Sequence, residues 1–173
     1  MSTSLDLTKL SLMDALDLAK LIELEAHRRY KMFASQLGRR GGYDPGAFFA
    51  TMAENEAKHG TELLERRMAR FGKVPMKVKM VDIYDIEAPD SGAPRKGMST
   101  LQAFELGLQS EKKAHDFFDS ALPGITDPEV ITLFTELRDE ETEHVEMLHK
   151  EMAKLPESAS IEIENDPDDA PYL

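Results

Sequence analysis

Apolar residues recur along this chain at steps of three and four, the spacing of amphipathic helices, in four long segments. The first stripe reads Leu12, Leu16, Ala19, Ala26, Tyr30 and Phe33, and the second Phe49, Met52, Ala53 and Leu63. The third reads Leu101, Phe104, Leu108, Ala114, Phe118 and Leu122, and the fourth Val130, Phe134, Leu137, Leu148 and Met152. Local signals bound each segment. Ser11, with Asp14 three residues on, opens a helix to about Leu37, where Gly38, Gly41 and Gly42 stop it. Asp44-Pro45, a capping side chain followed by the residue best tolerated at the first helical position, opens the second, which runs to about Phe71 and stops at Gly72. Ser99 with Gln102 forms a capping box for the third, which ends near Pro123-Gly124. Asp127-Pro128 opens the fourth, which ends before Pro156.

Short connections join the first two helices and the last two, which favours antiparallel hairpins. Between the hairpins lies a long connection, about residues 72–98, with Pro89, Gly92, Pro94 and Gly97 in its later half. A helix of about 25 residues is nearly 40 Å long, and this connection is long enough to run back along it and join parallel neighbours. Within it, Val78 to Ile86 reads as a short extended stretch. The predicted fold is therefore all-α: an up-down-down-up four-helix bundle over residues 1–155, made of two hairpins joined by a long crossover. Residues 156–173 read as a mobile acidic tail, with six carboxylates and no Lys or Arg.

The two hairpins resemble each other. Glu23-x-x-Ala26-His27-x-x-Tyr30 in the first helix matches Glu111-x-x-Ala114-His115-x-x-Phe118 in the third, and Glu56-x-x-His59 in the second matches Glu141-x-x-His144 in the fourth. These residues fall in the apolar stripes. The missing steps of the fourth stripe are Glu141 and His144, those of the second are Glu56 and His59, and Glu23 and Glu111 interrupt the first and third. Every helix thus places a carboxylate near the middle of its buried face. An isolated buried charge costs more than the ~5–15 kcal/mol net stability of a whole domain, and like charges in contact make it worse. No Lys or Arg stands at these steps to pair with them. Two divalent cations bring the required charge, with the imidazoles as neutral ligands, and residues at i and i+3 present both side chains to one site. A carboxylate from each of two helices and Glu-x-x-His from the other two is the general plan of di-iron and di-manganese carboxylate bundles. The predicted metal ligands are Glu23, Glu56, His59, Glu111, Glu141 and His144. A third Glu-x-x-His, Glu146 with His149, lies roughly 140° round the helix and reads as solvated surface.

Composition narrows the chemistry further. The 173 residues fit one domain, and 41% hydrophobic with 31% charged residues is ordinary for a globular protein. A formal net charge of −12 repels nucleic acid and anionic membrane, so neither is an expected partner. There is no cysteine, which excludes disulfides, thiolate-ligated clusters and a cysteine nucleophile. Residues 1–6 lack a basic region followed by an apolar run, and the expected location is the cytoplasm.

Over about residues 11–153 these motifs resemble the rubrerythrin-type branch of the ferritin-like superfamily, whose bundles also use hairpin, crossover and hairpin. The resemblance implies a dinuclear non-haem iron centre in which Glu56 and Glu141 bridge the irons, Glu23 and Glu111 bind terminally and each His binds one iron. Two departures set the chain apart. Full rubrerythrins add a rubredoxin-like domain with four cysteines, and they carry a further carboxylate one turn after the third-helix Glu, where this chain has Ala114. The remainder resembles rubrerythrin-like bundle proteins and ferritin ferroxidase centres. Oxidation of Fe(II), or reduction of O2 or peroxide, follows as the expected function, with an electron donor that the sequence leaves open. Manganese or zinc is the alternative cofactor, and metal storage or a metal-secured structural bundle the alternative role. A homodimer is expected, because the crossover and exposed helix faces need cover. Tyr30 reads either as a core aromatic with a satisfied hydroxyl or as a hydrogen-bond donor to a ligand carboxylate. His27 and His115 read as residues of a helix flank or interface.

Overall fold

A computed structural model describes residues 6–37, 43–83, 86 and 97–162. The glycines expected to stop the first helix, most of the later crossover and residues 163–173 of the acidic tail lie outside the described residues. The helices are α1 (Leu12–Leu37), α2 (Pro45–Phe71), α3 (Met80–Ile83), α4 (Thr100–Ala121) and α5 (Pro128–Met152).

The caps act as their residue types dictate. The Ser11 hydroxyl accepts from the Asp14 N–H at 3.2 Å, and Asp44 accepts from the Ala47 N–H at 3.0 Å. Ser99 accepts from the Gln102 N–H at 3.1 Å while the Ser99 N–H donates to the Gln102 side chain at 3.0 Å, a complete capping box. Asp127 accepts from the N–H groups of Glu129 and Val130 at 2.9 and 3.3 Å. Gly72 ends α2 at φ 60°, a backbone conformation that side chains with a Cβ resist.

The buried residues divide into two apolar clusters. One joins Leu16, Ala19 and Ile22 of early α1, Leu63 of late α2, Phe117 and Phe118 of late α4, and Val130, Phe134 and Leu137 of early α5. The other joins Tyr30, Phe33 and Leu37 of late α1, Phe49 and Met52 of early α2, Ala103 and Phe104 of early α4, and Leu148 of α5. This sharing of ends requires α1 and α5 to run one way and α2 and α4 the other, the up-down-down-up order. The crossover follows from the same division. Val78, Ile83 and Ile86 lie in the first cluster and Met98 in the second, so its described parts stand at opposite ends of the bundle.

Two local differences from the sequence reading stand out. The stretch expected to be extended contains the four-residue helix α3, whose opening Lys79 N–H donates to Asp82 at 2.8 Å. Downstream of α5, the chain from Pro156 keeps packing on the bundle for several residues. Glu157–Ser160 forms a 3-10 turn, Ala159 is 8% exposed, and the Gln102 amide donates to Glu162 at 2.7 Å.

Candidate metal centre

Between the two apolar clusters lies a layer of charge. Glu23, Glu56, Glu111 and Glu141 are each no more than 6% exposed, and His144 is 4% exposed. His59 is half-buried at the edge of the layer. Each carboxylate occupies a helix step that the stripe assigns to the core, so forming the bundle forces them together.

His144 stands at the centre of one half. Its Nδ1 lies 3.2 Å from Glu111 Oε2, 3.3 Å from Glu56 Oε1 and 3.7 Å from Glu141 Oε2. His59 takes the corresponding place in the other half, with Nδ1 3.8 Å from Glu23 Oε2. The two imidazoles stack, their centroids 5.4 Å apart and their planes 11° from parallel. Burial works against protonating His144 more strongly than any other single influence. Hydrogen bonds to Glu111 and Glu141 and the charge of Glu56 together outweigh it, and its pKa is pushed up to about 12. His59 is held below the usual histidine range by burial first and then by the charge of His144. In the metal-free chain a protonated His144 ring therefore sits among the carboxyl groups of Glu56, Glu111 and Glu141.

Three overlapping groups have ligand atoms within 4.8 Å of one another: Glu56, His59 and His144; Glu111, Glu141 and His144; and Glu23, His59 and Glu140. All six residues singled out in the sequence fall in these groups. Glu140 was not among them. It stands one residue before Glu141, turned off the apolar stripe, and its carboxyl is held above the usual range by burial and then by the nearby acids Glu136 and Glu62.

The donor set fits divalent first-row metals. It offers carboxylate oxygens and imidazole nitrogens, and thiolates are absent from the sequence. Glu56 Oε1 and His59 Nδ1 are buried and have no hydrogen-bond partner, a costly arrangement that a bound cation relieves.

The surrounding residues hold these side chains in place. Tyr30, fully buried, donates its hydroxyl to Glu111 across the two halves. Its counterpart in the repeat is Phe118, which has no hydroxyl to give. The His27 ring N–H donates to the Ala53 carbonyl at 2.7 Å and ties α1 to α2. His115 lies on a partly exposed flank beside Asp116, and both Glu146 and His149 face solvent. Sequence reasoning also missed a buried ion pair below the layer. Arg67 donates from Nε to Asp17 Oδ1 at 2.9 Å, and its remaining N–H groups donate to the carbonyls of Gly72, at 2.6 Å, and Val74.

A rubrerythrin family model matches residues 14–152. No curated protein matches the chain. A similar solved structure is that of an uncharacterized conserved protein from Magnetospirillum magnetotacticum MS-1. It is 27% identical with a TM-score of 0.71, and the match covers 85% of this chain and 97% of that one. Among the described residues no helix is long and apolar enough to cross a membrane.

Proposed function

Because this chain belongs to the rubrerythrin family, we propose that it is a non-haem di-iron carboxylate protein that oxidises Fe(II) or reduces O2 or peroxide at a dinuclear centre. The observation that carries the proposal is the buried layer of four carboxyl groups and two stacked imidazoles, with Glu56 Oε1 and His59 Nδ1 left without hydrogen-bond partners. Glu56 and Glu141, from α2 and α5, would hold both ions, with Glu23 and His59 serving one and Glu111 and His144 the other. When bound, an iron pair supplies two electrons, enough with two protons to take dioxygen to hydrogen peroxide or hydrogen peroxide to two waters.

The protein's part is to place and insulate these groups. The apolar clusters on either side confine water access to the His59 edge of the layer, which strengthens the charge interactions around His144. Tyr30 holds one oxygen of Glu111 and leaves the other directed at His144. His144 is protonated in the metal-free chain and would have to release that proton to act as a ligand, so metal loading would exchange a proton for metal charge.

Anaerobic loading with Fe(II), followed by air or peroxide, tests the proposal. A diferric absorbance band should develop, and Glu56→Ala or Glu141→Ala should abolish it. A wild-type protein that binds iron but develops no band on exposure to either oxidant refutes the redox assignment.

A further inference from the structure

The two halves of the layer are not equally supplied with carboxylates. His144 has Glu56, Glu111 and Glu141 within 3.7 Å of its Nδ1, whereas His59 Nδ1 lies 3.8 Å from Glu23. The repeat breaks here, because the counterpart of Glu140 in the first hairpin is Asn55. A carboxylate at this position exists only on α5, and α5 presents it to the His59 side.

The seam between α2 and α5 shows what Glu140 faces. Farther along the seam, acids of α5 meet arginines of α2: Glu129 lies 2.5 Å from Arg70 and Glu136 lies 2.7 Å from Arg66. At the next step towards the layer, Glu140 meets His59 and Glu62 across a cavity of about 40 Å³ that Arg66 and Glu136, already paired with each other, also line. That volume accommodates a single ion or a water molecule. Opening near it is His59 Nδ1, buried and without a hydrogen-bond partner, and a Glu140 oxygen comes within 4.8 Å of it and of Glu23. Arg66 is taken by Glu136 and Glu62 lies 3.7 Å from Lys58, whereas the Glu140 carboxylate is turned towards Glu23 and the unpartnered His59 nitrogen.

We propose that Glu140 is a ligand to the divalent cation on the His59 side, forming with Glu23 and His59 a three-residue set distinct from Glu111, Glu141 and His144. This rests on the dinuclear reading above and adds a seventh ligand to it. The ion on the His59 side is then bound at the half-exposed edge of the bundle, with Glu140 as its outermost donor.

The test is titration of the metal-free full-length chain with Mn(II) under argon, with free Mn(II) read from its EPR signal. Wild type should take up two ions. Glu140→Gln should weaken one of them about tenfold or more and leave the other unchanged, the scale of loss expected for a residue that orients or binds a metal. Glu143→Gln, an exposed neighbour, should bind both ions as wild type does. Glu140→Asp keeps the charge but withdraws the oxygens by one methylene, and should also weaken the affected ion. If Glu140→Gln binds both ions normally, or Glu140→Asp retains full affinity while Glu140→Gln does not, direct ligation is overturned. Wild-type protein that takes up fewer than two ions overturns the dinuclear reading itself, a result distinct from either of these. Far-ultraviolet circular dichroism of each variant, expected to match wild type, shows that any loss is local.

Discussion

Tyr30 donates its hydroxyl to Glu111 from inside an apolar cluster, where its ring packs against Phe33 and Phe49 at centroid distances of 6.2 and 5.8 Å. Tyr30→Phe keeps the ring and removes only the bond to Glu111. Hydrogen bonds to charged groups contribute about 1.5–3 kcal/mol, so a loss of that order in metal-free stability is expected from denaturant titration. The chain itself offers a control. Phe118 fills the equivalent place in the other half, and Phe118→Tyr should not reproduce the effect in reverse, because a hydroxyl there needs room in a packed core. The carboxylates and imidazoles were legible from sequence because each interrupts an apolar stripe, and a charge out of phase with its neighbours is conspicuous in a single chain. Glu140 was not. It sits one step off the stripe, where an acid normally faces solvent, and only the approach of α2 to α5 brings it to His59. Asp17 was hidden for the same reason: its partner Arg67 is 50 residues away, and sequence spacing does not carry that distance.

Helix limits were read nearly to the residue, because a cap is a contact between neighbours in the chain. Ser99 with Gln102 and the two Asp-Pro openings need no tertiary structure to operate. The four residues of α3 are too few to show a period, and the valines around them favour extended backbone in isolation, so packing decided that segment. The end of α2 is held by the buried pair of Arg67 and Asp17, which also fastens the carbonyls of Gly72 and Val74 where the crossover begins. Arg67→Met leaves the Asp17 carboxylate buried and unpaired, and a destabilisation of about 3–5 kcal/mol is expected in chemical denaturation. Replacing both residues together by apolar ones should cost less than the single change. Gly72→Ala forces a Cβ into positive φ and should cost about 1–2 kcal/mol by the same measurement.

At the scale of the molecule, metal and protons compete for one space. The folded chain raises the pKa of His144 from 6.5 to about 12, so its imidazolium stabilises the metal-free bundle fully below about pH 6.5 and progressively less as pH rises towards 12. Metal binding has the opposite dependence. Uptake at neutral pH should release a proton from His144, and apparent affinity should rise by up to about tenfold per pH unit. Calorimetric titration in buffers of differing ionisation enthalpy counts that proton. Chelation should lower the melting temperature, since at 100-fold excess over its dissociation constant a single bound ion adds about 2.7 kcal/mol. The drop should still leave a folded protein, because the two apolar clusters close the bundle independently at either end of the layer. The emptied molecule then resembles a tube clamped at both ends and loose at its waist. Amide hydrogens near Glu56, His59 and His144 should exchange by local opening once metal is gone, whereas those beside Phe104 and Phe134 should wait for global unfolding. Such a waist lets ions be withdrawn and replaced without the chain ever losing its shape.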